Sequence, residues 1–274
     1  VLPAEFCIFK KIPYSIIGVG AGPLSNFFVR REVKRIFNNA NSLLVRDFES
    51  QQFVENSLSL NKALLGADAA LTLCQNDIPK SSIEKINDFL NNYQDVKLLG
   101  IHRPLDFLKK TPQSKLLKES LLYCLSNNSD ILAVVFDDQT GNNSIGQCNE
   151  LTNLIRKTTK NKCVCFPFQG IWETVALISQ LSAILTTKLH VGIVAYSFGV
   201  YCESFAVHSK TQRFYREIGR ESQCILLSDL KQKNTSIEKI NRAIKGSRKQ
   251  NSKIIDDNWY QVRKKAFLNK EIVE

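Results

Sequence analysis

The feature of this 274-residue sequence that most limits its fold is an alternation of short β-rich runs with amphipathic helical stretches along almost the whole chain. A buried strand is indicated at residues 14–19. It is followed by a helix at 26–38 whose apolar and basic side chains lie on opposite faces. Strands that alternate with helices in this way are typical of parallel sheets covered by helices. The sequence therefore predicts an α/β fold with Rossmann-like, doubly wound domains.

Four segments are predicted: an incomplete N-terminal Rossmann-like domain at 1–80, a linker and helix at 81–94, a complete C-terminal Rossmann-like domain at 95–230 and closing basic helices at 231–274. The first domain is incomplete because two pairs of strand and helix cannot cover both faces of a sheet. Ser81 and Glu84 have the spacing of a capping box and open the linker helix. Trp259 and Val262 share one face of the closing segment, which we expect to be buried.

The net charge of +11 is concentrated near the C-terminus, since residues 231–274 hold 12 Lys or Arg against 5 Asp or Glu. Basic tails meet nucleic acid, anionic membrane surfaces or anionic substrates. This tail has no nucleic-acid-binding motif and carries apolar residues at helical spacing, so we expect no nucleic acid partner. The eight cysteines form no CxxC pair, which favours buried, reduced thiols in the cytoplasm.

Metal and hydrolase sites are not expected. The three histidines, His102, His190 and His208, have no acidic partners at metal-ligand spacing in the sequence. Neither an HExxH nor a Gly-x-Ser-x-Gly pattern occurs. We therefore predict no metal ion and no cofactor.

A glycine-rich turn at residues 18–24 is the first candidate site. Gly20 and Gly22 let the backbone approach a ligand closely, and the N-terminus of the following helix favours an anion. The third glycine comes one residue too early for the G-x-G-x-x-G fingerprint, and Pro23 follows it, so we do not expect a standard dinucleotide site. An anion-binding turn and a tight turn without a ligand both stay open.

Two further candidates follow strands at the carboxyl edge of the predicted sheets, where ligands bind in such folds. Arg46 ends a strand and offers two parallel hydrogen bonds to a carboxylate or phosphate, or else forms an ion pair with the neighbouring helix. Lys188 and His190 lie where a strand enters a helix, which points side chains and backbone amides at one spot. This indicates an anion-binding site. The alternative is that His190 is a buried core residue or a helix cap without a ligand.

Five segments in order resemble the polysaccharide pyruvyl transferase family. They lie within residues 14–74 and 180–230 and read GVGAGPL, RIFNNANSLLVRDFES, ALLGADAAL, ILTTKLHVGIVAYSFGV and SKTQRFYREIG. They match the family's glycine-rich GPL turn, its RD-x-x-S segment, its A-D-x-A aspartate, its R-L-H motif and its K-x-x-x-F segment. Lys188 stands where the family usually has Arg, and it supplies charge without the planar fork of a guanidinium.

The resemblance implies two Rossmann-like domains that face each other across a cleft, as in GT-B glycosyltransferases. It also implies an N-terminally truncated chain, because the family has a longer start. Arg46 and Lys188 then hold the phosphate and carboxylate of phosphoenolpyruvate, and His190 is the catalytic acid and base. Gly20, Gly22 and Lys210 are implied as further substrate-binding residues.

The implied activity is transfer of an enolpyruvyl group from phosphoenolpyruvate to a sugar hydroxyl of a cell-surface glycan or exopolysaccharide, which closes a pyruvate ketal. The acceptor is a glycan or a lipid-linked saccharide, and we expect a cytoplasmic protein in peripheral contact with the inner face of the membrane. One alternative is a GT-B glycosyltransferase that uses a nucleotide sugar, for which Glu203 is the nearby candidate ribose ligand. The other is a non-catalytic remnant of the fold.

Overall fold

The structure is a computed structural model that describes residues 2–93, 96–128, 130–141, 143–248 and 255–272. Residues 94 and 95 at the predicted linker, and 249–254 and 273–274 in the predicted closing segment, lie outside the described residues. The chain divides into two compact units: Val1–Thr72 with Asp257–Glu274, and Leu73–Asp256. None of the described helices combines the length and apolar character that a membrane span requires.

The described residues form nine strands and twelve α-helices. The strands are β1 (Ser15–Val19), β2 (Ser42–Val45), β3 (Ala63–Leu65), β4 (Lys97–His102), β5 (Ile131–Phe136), β6 (Cys163–Phe166), β7 (Ala183–Thr186), β8 (Tyr201–Ala206) and β9 (Cys224–Leu226). The helices are α1 (Leu2–Lys10), α2 (Phe27–Asn39), α3 (Phe48–Gln52), α4 (Lys80–Leu90), α5 (Pro104–Leu108), α6 (Pro112–Ser126), α7 (Ser144–Thr158), α8 (Ile171–Gln180), α9 (Leu189–Ser197), α10 (Ser209–Glu217), α11 (Lys233–Arg248) and α12 (Asp257–Glu271).

The first unit is built on a three-stranded parallel sheet in the order β1-β2-β3. Its hydrophobic centre is β2, in which Leu43, Leu44 and Val45 are fully buried. α2 begins after Asn26, because the Asn26 side chain accepts hydrogen bonds from two backbone amides of the first turn. Since the three strands are parallel, their carboxyl ends lie at one edge of the sheet.

The C-terminal helix α12 belongs to this first unit. Arg263 and Asn269 donate hydrogen bonds to backbone carbonyl oxygens of the loops after β3, at 3.2 and 3.0 Å. Ala266 is fully buried, whereas Trp259 and Val262 are only half-buried. The buried face therefore differs from the predicted one, because the carbonyl groups that the helix covers require polar donors.

The second unit is built on a six-stranded parallel sheet in the order β6-β5-β4-β7-β8-β9. Apolar clusters cover both faces; Phe107 and Leu121 belong to one cluster, and Ile86 and Leu177 to the other. This strand order is that of the doubly wound Rossmann fold. The prediction of an α/β chain with two separate Rossmann-like parallel sheets is confirmed.

The boundary between the units lies between Thr72 and Leu73, ahead of the predicted linker. Ile86 of α4 is fully buried in a core cluster of the second unit, so the predicted linker helix is part of that unit. α4 begins at Lys80, which leaves Ser81 and Glu84 inside the helix rather than in a capping box. The two closing helices do not form one segment, since α11 belongs to the second unit and α12 to the first.

A buried ion network holds α11 on β8. Glu203 of β8 is fully buried and accepts hydrogen bonds from Lys239 Nζ at 3.2 Å and Arg242 Nε at 2.9 Å. The Tyr201 hydroxyl donates to the same carboxylate at 2.7 Å. Burial lowers the pKa of Lys239, and the negative charge of Glu203 opposes that shift. Two cations of α11 therefore share one buried anion.

Glu203→Gln should lower the free energy of unfolding by about 3 kcal/mol, since it leaves two cations without their buried anion. The matched control is Glu238→Gln, which removes an exposed carboxylate 3.5 Å from Arg242. It should change the same quantity by less than about 0.5 kcal/mol. Urea unfolding followed by circular dichroism measures both, and equal effects would show that the network does not stabilise this unit.

Candidate functional site

Three of the motif segments meet at the carboxyl ends of β1, β2 and β3. Arg46 follows β2, and its Nη1 atom donates a hydrogen bond to Asp68 Oδ2 at 3.2 Å. Its Nε atom lies 3.6 Å from Asp47 Oδ2. The guanidinium is 22% exposed and is paired with two carboxylates. An anion that binds Arg46 has to compete with both.

The glycine-rich turn lies against the same guanidinium. A side chain on Gly20 would place its Cβ 3.0 Å from Arg46 Nε, so a side chain here requires Arg46 to shift. The amide of Ala21 donates to Ser50 Oγ at 2.8 Å, and Ser50 Oγ donates to Asp47 Oδ1 at 2.5 Å. The structure thus brings Gly20 and Arg46 together, and the RD-x-x-S segment supports the turn through Asp47 and Ser50.

Gly22 is required for a different reason. Its φ of +78° lies in the left-handed region, and a Cβ there would lie 2.5 Å from the ring of Phe53. The path of the chain and the contact with Phe53 are sufficient to explain this glycine. Ligand binding by Gly20 and Gly22 stays a prediction.

The candidate site of the second unit lies where β4 and β7 end side by side. β4 and β7 are neighbours in the sheet, but the helices that follow them pack on opposite faces. Open α/β sheets bind ligands in the crevice at such a switch point. His102 ends β4 and Thr186 ends β7; His102 Nδ1 lies 2.8 Å from Thr186 Oγ1, and both residues are buried.

Lys188 lies at this switch point with its charge already oriented. Its Nζ atom donates to Asp138 Oδ1 at 2.6 Å and to Gln139 Oε1 at 3.1 Å. Burial alone would raise the pKa of Asp138, but the nearby His102 and Lys188 outweigh it and hold that pKa well below its usual range. Asp138 is therefore ionised at neutral pH and fixes the position of the Lys188 ammonium.

Asp106 of α5 holds the turn that leads from β7 into α9. Thr187 Oγ1 donates to Asp106 Oδ2 at 2.5 Å, and Lys109 Nζ donates to Asp106 Oδ1 at 2.6 Å. The Lys188 amide donates to Thr186 Oγ1 at 3.1 Å. These bonds fix the backbone just before the α9 N-terminus, whose amides favour an anion.

The other two candidate site residues of this unit, His190 and Lys210, are exposed. His190 lies in the first turn of α9 and Lys210 in the first turn of α10, after β7 and β8 respectively. Within the described part of the chain, neither side chain forms a hydrogen bond or an ion pair. Both are therefore open to solutes, and neither is joined to Lys188 by a hydrogen bond.

No motif in the sequence marks His102, Asp137 and Asp138 as a group. The two acids follow β5 and reach His102 only because β5 pairs with β4, with His102 opposite Phe136. The sequence feature that could have identified them is their position, since each of the three residues lies at or just after the end of a buried apolar run. Runs that become adjacent parallel strands bring their carboxyl ends together, so this group could have been proposed once the strand order was known.

The fold and these sites define an α/β protein with two Rossmann-like parallel sheets and cationic side chains at the carboxyl ends of its strands. The family model of polysaccharide pyruvyl transferase matches residues 2–209. The chain belongs to this family. The comparison with curated proteins found no significant match.

Solved structures share the fold at low sequence identity. The UDP-GlcNAc 2-epimerase of Neisseria meningitidis, bound to UDP-GlcNAc, is 14% identical with a TM-score of 0.70 over 98% of this chain and 71% of that chain. The UDP-GlcNAc 2-epimerase of Methanocaldococcus jannaschii is 16% identical with a TM-score of 0.67, over 98% and 72%. S. aureus MnaA with UDP is 13% identical with a TM-score of 0.58, over 98% and 70%. The fold is GT-B-like.

The two glycines of the turn should respond differently to alanine. Gly22→Ala combines an unfavourable left-handed φ with a clash against Phe53, and should lower the free energy of unfolding by about 1 to 3 kcal/mol. Gly20→Ala meets only the end of the flexible Arg46 side chain and should cost less than about 1 kcal/mol. Chemical denaturation measures both variants. A larger loss for Gly20→Ala would contradict this account of the turn.

Proposed function

We propose that the protein moves a pyruvyl group from phosphoenolpyruvate to a sugar hydroxyl of a cell-surface glycan or exopolysaccharide, where it closes a pyruvate ketal. Membership of the polysaccharide pyruvyl transferase family indicates a transferase that acts on a glycan. The observation that carries the donor assignment is the oriented Lys188 ammonium at a sheet switch point, beside the N-terminus of α9. Phosphoenolpyruvate brings two anionic groups, which such a site suits.

His190 is proposed as the general acid. It follows Lys188 by two residues, so one turn of the chain carries both the anion-binding group and the proton donor. His190 gives a proton to the methylene carbon C3 of phosphoenolpyruvate while the oxygen of an acceptor hydroxyl bonds to C2. The proton of that hydroxyl restores the imidazolium. A second hydroxyl oxygen then displaces phosphate from C2, and its proton leaves with the phosphate.

Arg46 is proposed as the donor-binding cation of the first unit, carried by the turn that contains Gly20 and Gly22. Its pairing with two carboxylates orients the guanidinium, and a phosphate or carboxylate of the donor can replace one of them. Lys210 is proposed as a further substrate-binding residue, which its exposure in the first turn of α10 supports. The transfer is proposed to need no cofactor.

The acceptor is proposed to be a glycan or a lipid-linked saccharide, met at the inner, cytoplasmic face of a membrane. α2 supports a peripheral contact with that surface, because Phe27 and Phe28 are exposed next to the exposed Arg30 and Arg31. Exposed aromatic rings beside basic side chains suit an anionic lipid surface.

His190→Gln should lower turnover by roughly two to four orders of magnitude, as loss of a general acid does, while phosphoenolpyruvate binding is largely kept. Phosphate release over a panel of glycan acceptors measures turnover. His208→Gln removes another exposed histidine of this unit and serves as the matched control, with turnover unchanged. Intact transfer by His190→Gln would remove His190 from the mechanism.

Arg46→Ala should act on binding first and weaken phosphoenolpyruvate affinity by about 1.5 to 3 kcal/mol, the contribution of a hydrogen bond to a charged group. Isothermal titration with phosphoenolpyruvate measures this loss directly. Unchanged affinity would leave Arg46 as a structural partner of Asp47 and Asp68 only.

A second candidate function is that of a GT-B glycosyltransferase that uses a nucleotide sugar. The solved structures of this fold that were determined with UDP-GlcNAc or UDP favour it. Its expected ribose ligand, Glu203, is fully buried and bonded to Lys239 and Arg242, so that carboxylate is not available to a ribose. Pyruvyl transfer is therefore preferred.

Thermal shift separates the candidates. Phosphoenolpyruvate at about 100 times its Kd should raise the Tm by roughly 5 °C, and UDP-sugars should not. Lys188→Met should abolish the shift, whereas Lys85→Met, which breaks a Lys85 to Glu173 ion pair in the same unit, should keep it. A shift with UDP-sugars alone would favour the glycosyltransferase, and a shift with neither would favour a non-catalytic remnant.

A further inference from the structure

His102 occupies an unusual environment for a buried histidine. The residue is fully buried, and Thr186 orients its ring through the 2.8 Å contact with Nδ1. Its Nε2 atom has no hydrogen-bond partner in the described part of the chain. Nε2 lies 3.3 Å from Asp138 Oδ1 and 3.9 Å from Asp137 Oδ1, without the alignment of a hydrogen bond. Buried polar atoms are normally satisfied, so this nitrogen requires a partner.

The spacing of these atoms fits a metal ion. Two adjacent ligands at about 2.2 Å from an octahedral first-row divalent cation are roughly 3.1 Å apart. The 3.3 Å from His102 Nε2 to Asp138 Oδ1 is close to this value, and one ligand atom from each of the three residues lies within 4.8 Å of the others. The wider separation, 3.9 Å from His102 Nε2 to Asp137 Oδ1, requires the Asp137 carboxylate to move toward the ion, and Oδ1 also accepts a hydrogen bond from the Asp138 amide at 2.9 Å.

We propose that His102, Asp137 and Asp138 form a binding site for a first-row divalent cation such as Mn²⁺. One imidazole nitrogen with two carboxylate oxygens suits this group of ions, whereas an all-oxygen set suits Mg²⁺ and Ca²⁺. Two neighbouring side chains orient the ligands: Thr186 contacts the other nitrogen of His102, and Ser144 Oγ donates to Asp137 Oδ2 at 3.1 Å. The site is additional to the proposed transfer, which uses no metal.

Lys188 competes with this ion for one oxygen atom. Asp138 Oδ1 is both a proposed ligand and the acceptor of the Lys188 ammonium at 2.6 Å. An ammonium and a divalent cation repel each other strongly at such distances. Binding of the ion therefore releases Lys188 from Asp138. The ion site thereby controls the position of the lysine proposed to bind the donor.

The test is a titration of the chelator-treated full chain with Mn²⁺, with free Mn²⁺ measured by electron paramagnetic resonance. Mn²⁺ is the probe because the eight cysteines would bind a softer ion such as Zn²⁺. We expect one ion per chain. His102→Gln and Asp137→Asn should weaken binding at least about tenfold, while Lys188→Met should strengthen it about threefold or more.

Lys85→Met is the matched control, since it also removes a lysine from a carboxylate pair, and it should leave the affinity unchanged. Circular dichroism checks that each variant is folded; if His102→Gln does not fold, Asp137→Asn and Lys188→Met decide the question. Absence of binding, or binding that neither of those two variants changes, would overturn the proposal. The phosphoenolpyruvate thermal shift, measured with chelator present, tests the donor site independently.

Discussion

The parallel pairing of β4 with β7 is the constraint on which the second unit depends. The two strands pair through backbone hydrogen bonds, and apolar side chains cover them on both faces of the sheet. Gly100 lies within this pairing and allows close packing, since a Cβ there would lie 2.5 Å from the Leu181 side chain. The register sets His102 beside Thr186 at the end of the strands. The register of this strand pairing therefore decides which polar groups meet at the candidate site. His102 and Thr186 are both buried there, and the contact between His102 Nδ1 and Thr186 Oγ1 offsets part of the cost of burying them.

Continuity of apolar residues decides which elements could be predicted from the sequence. All six residues of β5 are buried, and an uninterrupted apolar run of this kind can be recognised from the sequence. β8 is harder to recognise, since Glu203 breaks its apolar run and is tolerated only through Lys239 and Arg242 of a later helix. The formation of such a strand depends on residues that are distant in the sequence, and these do not affect its local strand propensity.

The same distinction applies to the candidate sites. Candidate residues that lie close together in one turn, such as Lys188 and His190, could be identified from the sequence alone. Pairs that join different strands could not, because they depend on strand order and register: Arg46 contacts Asp68 after the neighbouring strand β3, and His102 of β4 contacts Asp138 after β5. The cationic residues could therefore be proposed as candidates from the sequence, whereas the carboxylates that hold them could not.

Both candidate anion sites use a cation that already has a carboxylate partner, Arg46 with Asp68 and Lys188 with Asp138. The side chains of all four residues are between 13% and 28% exposed, so each pair is partly shielded from solvent. A hydrogen bond from a charged group to an incoming anion contributes about 1.5 to 3 kcal/mol, and the bond to the carboxylate is of the same kind. An incoming anion therefore exchanges with the carboxylate, which holds the cation in place at a cost in affinity. In each unit the orientation of the cation is thus fixed before any ligand arrives, which reduces the ordering cost that an anion meets on binding.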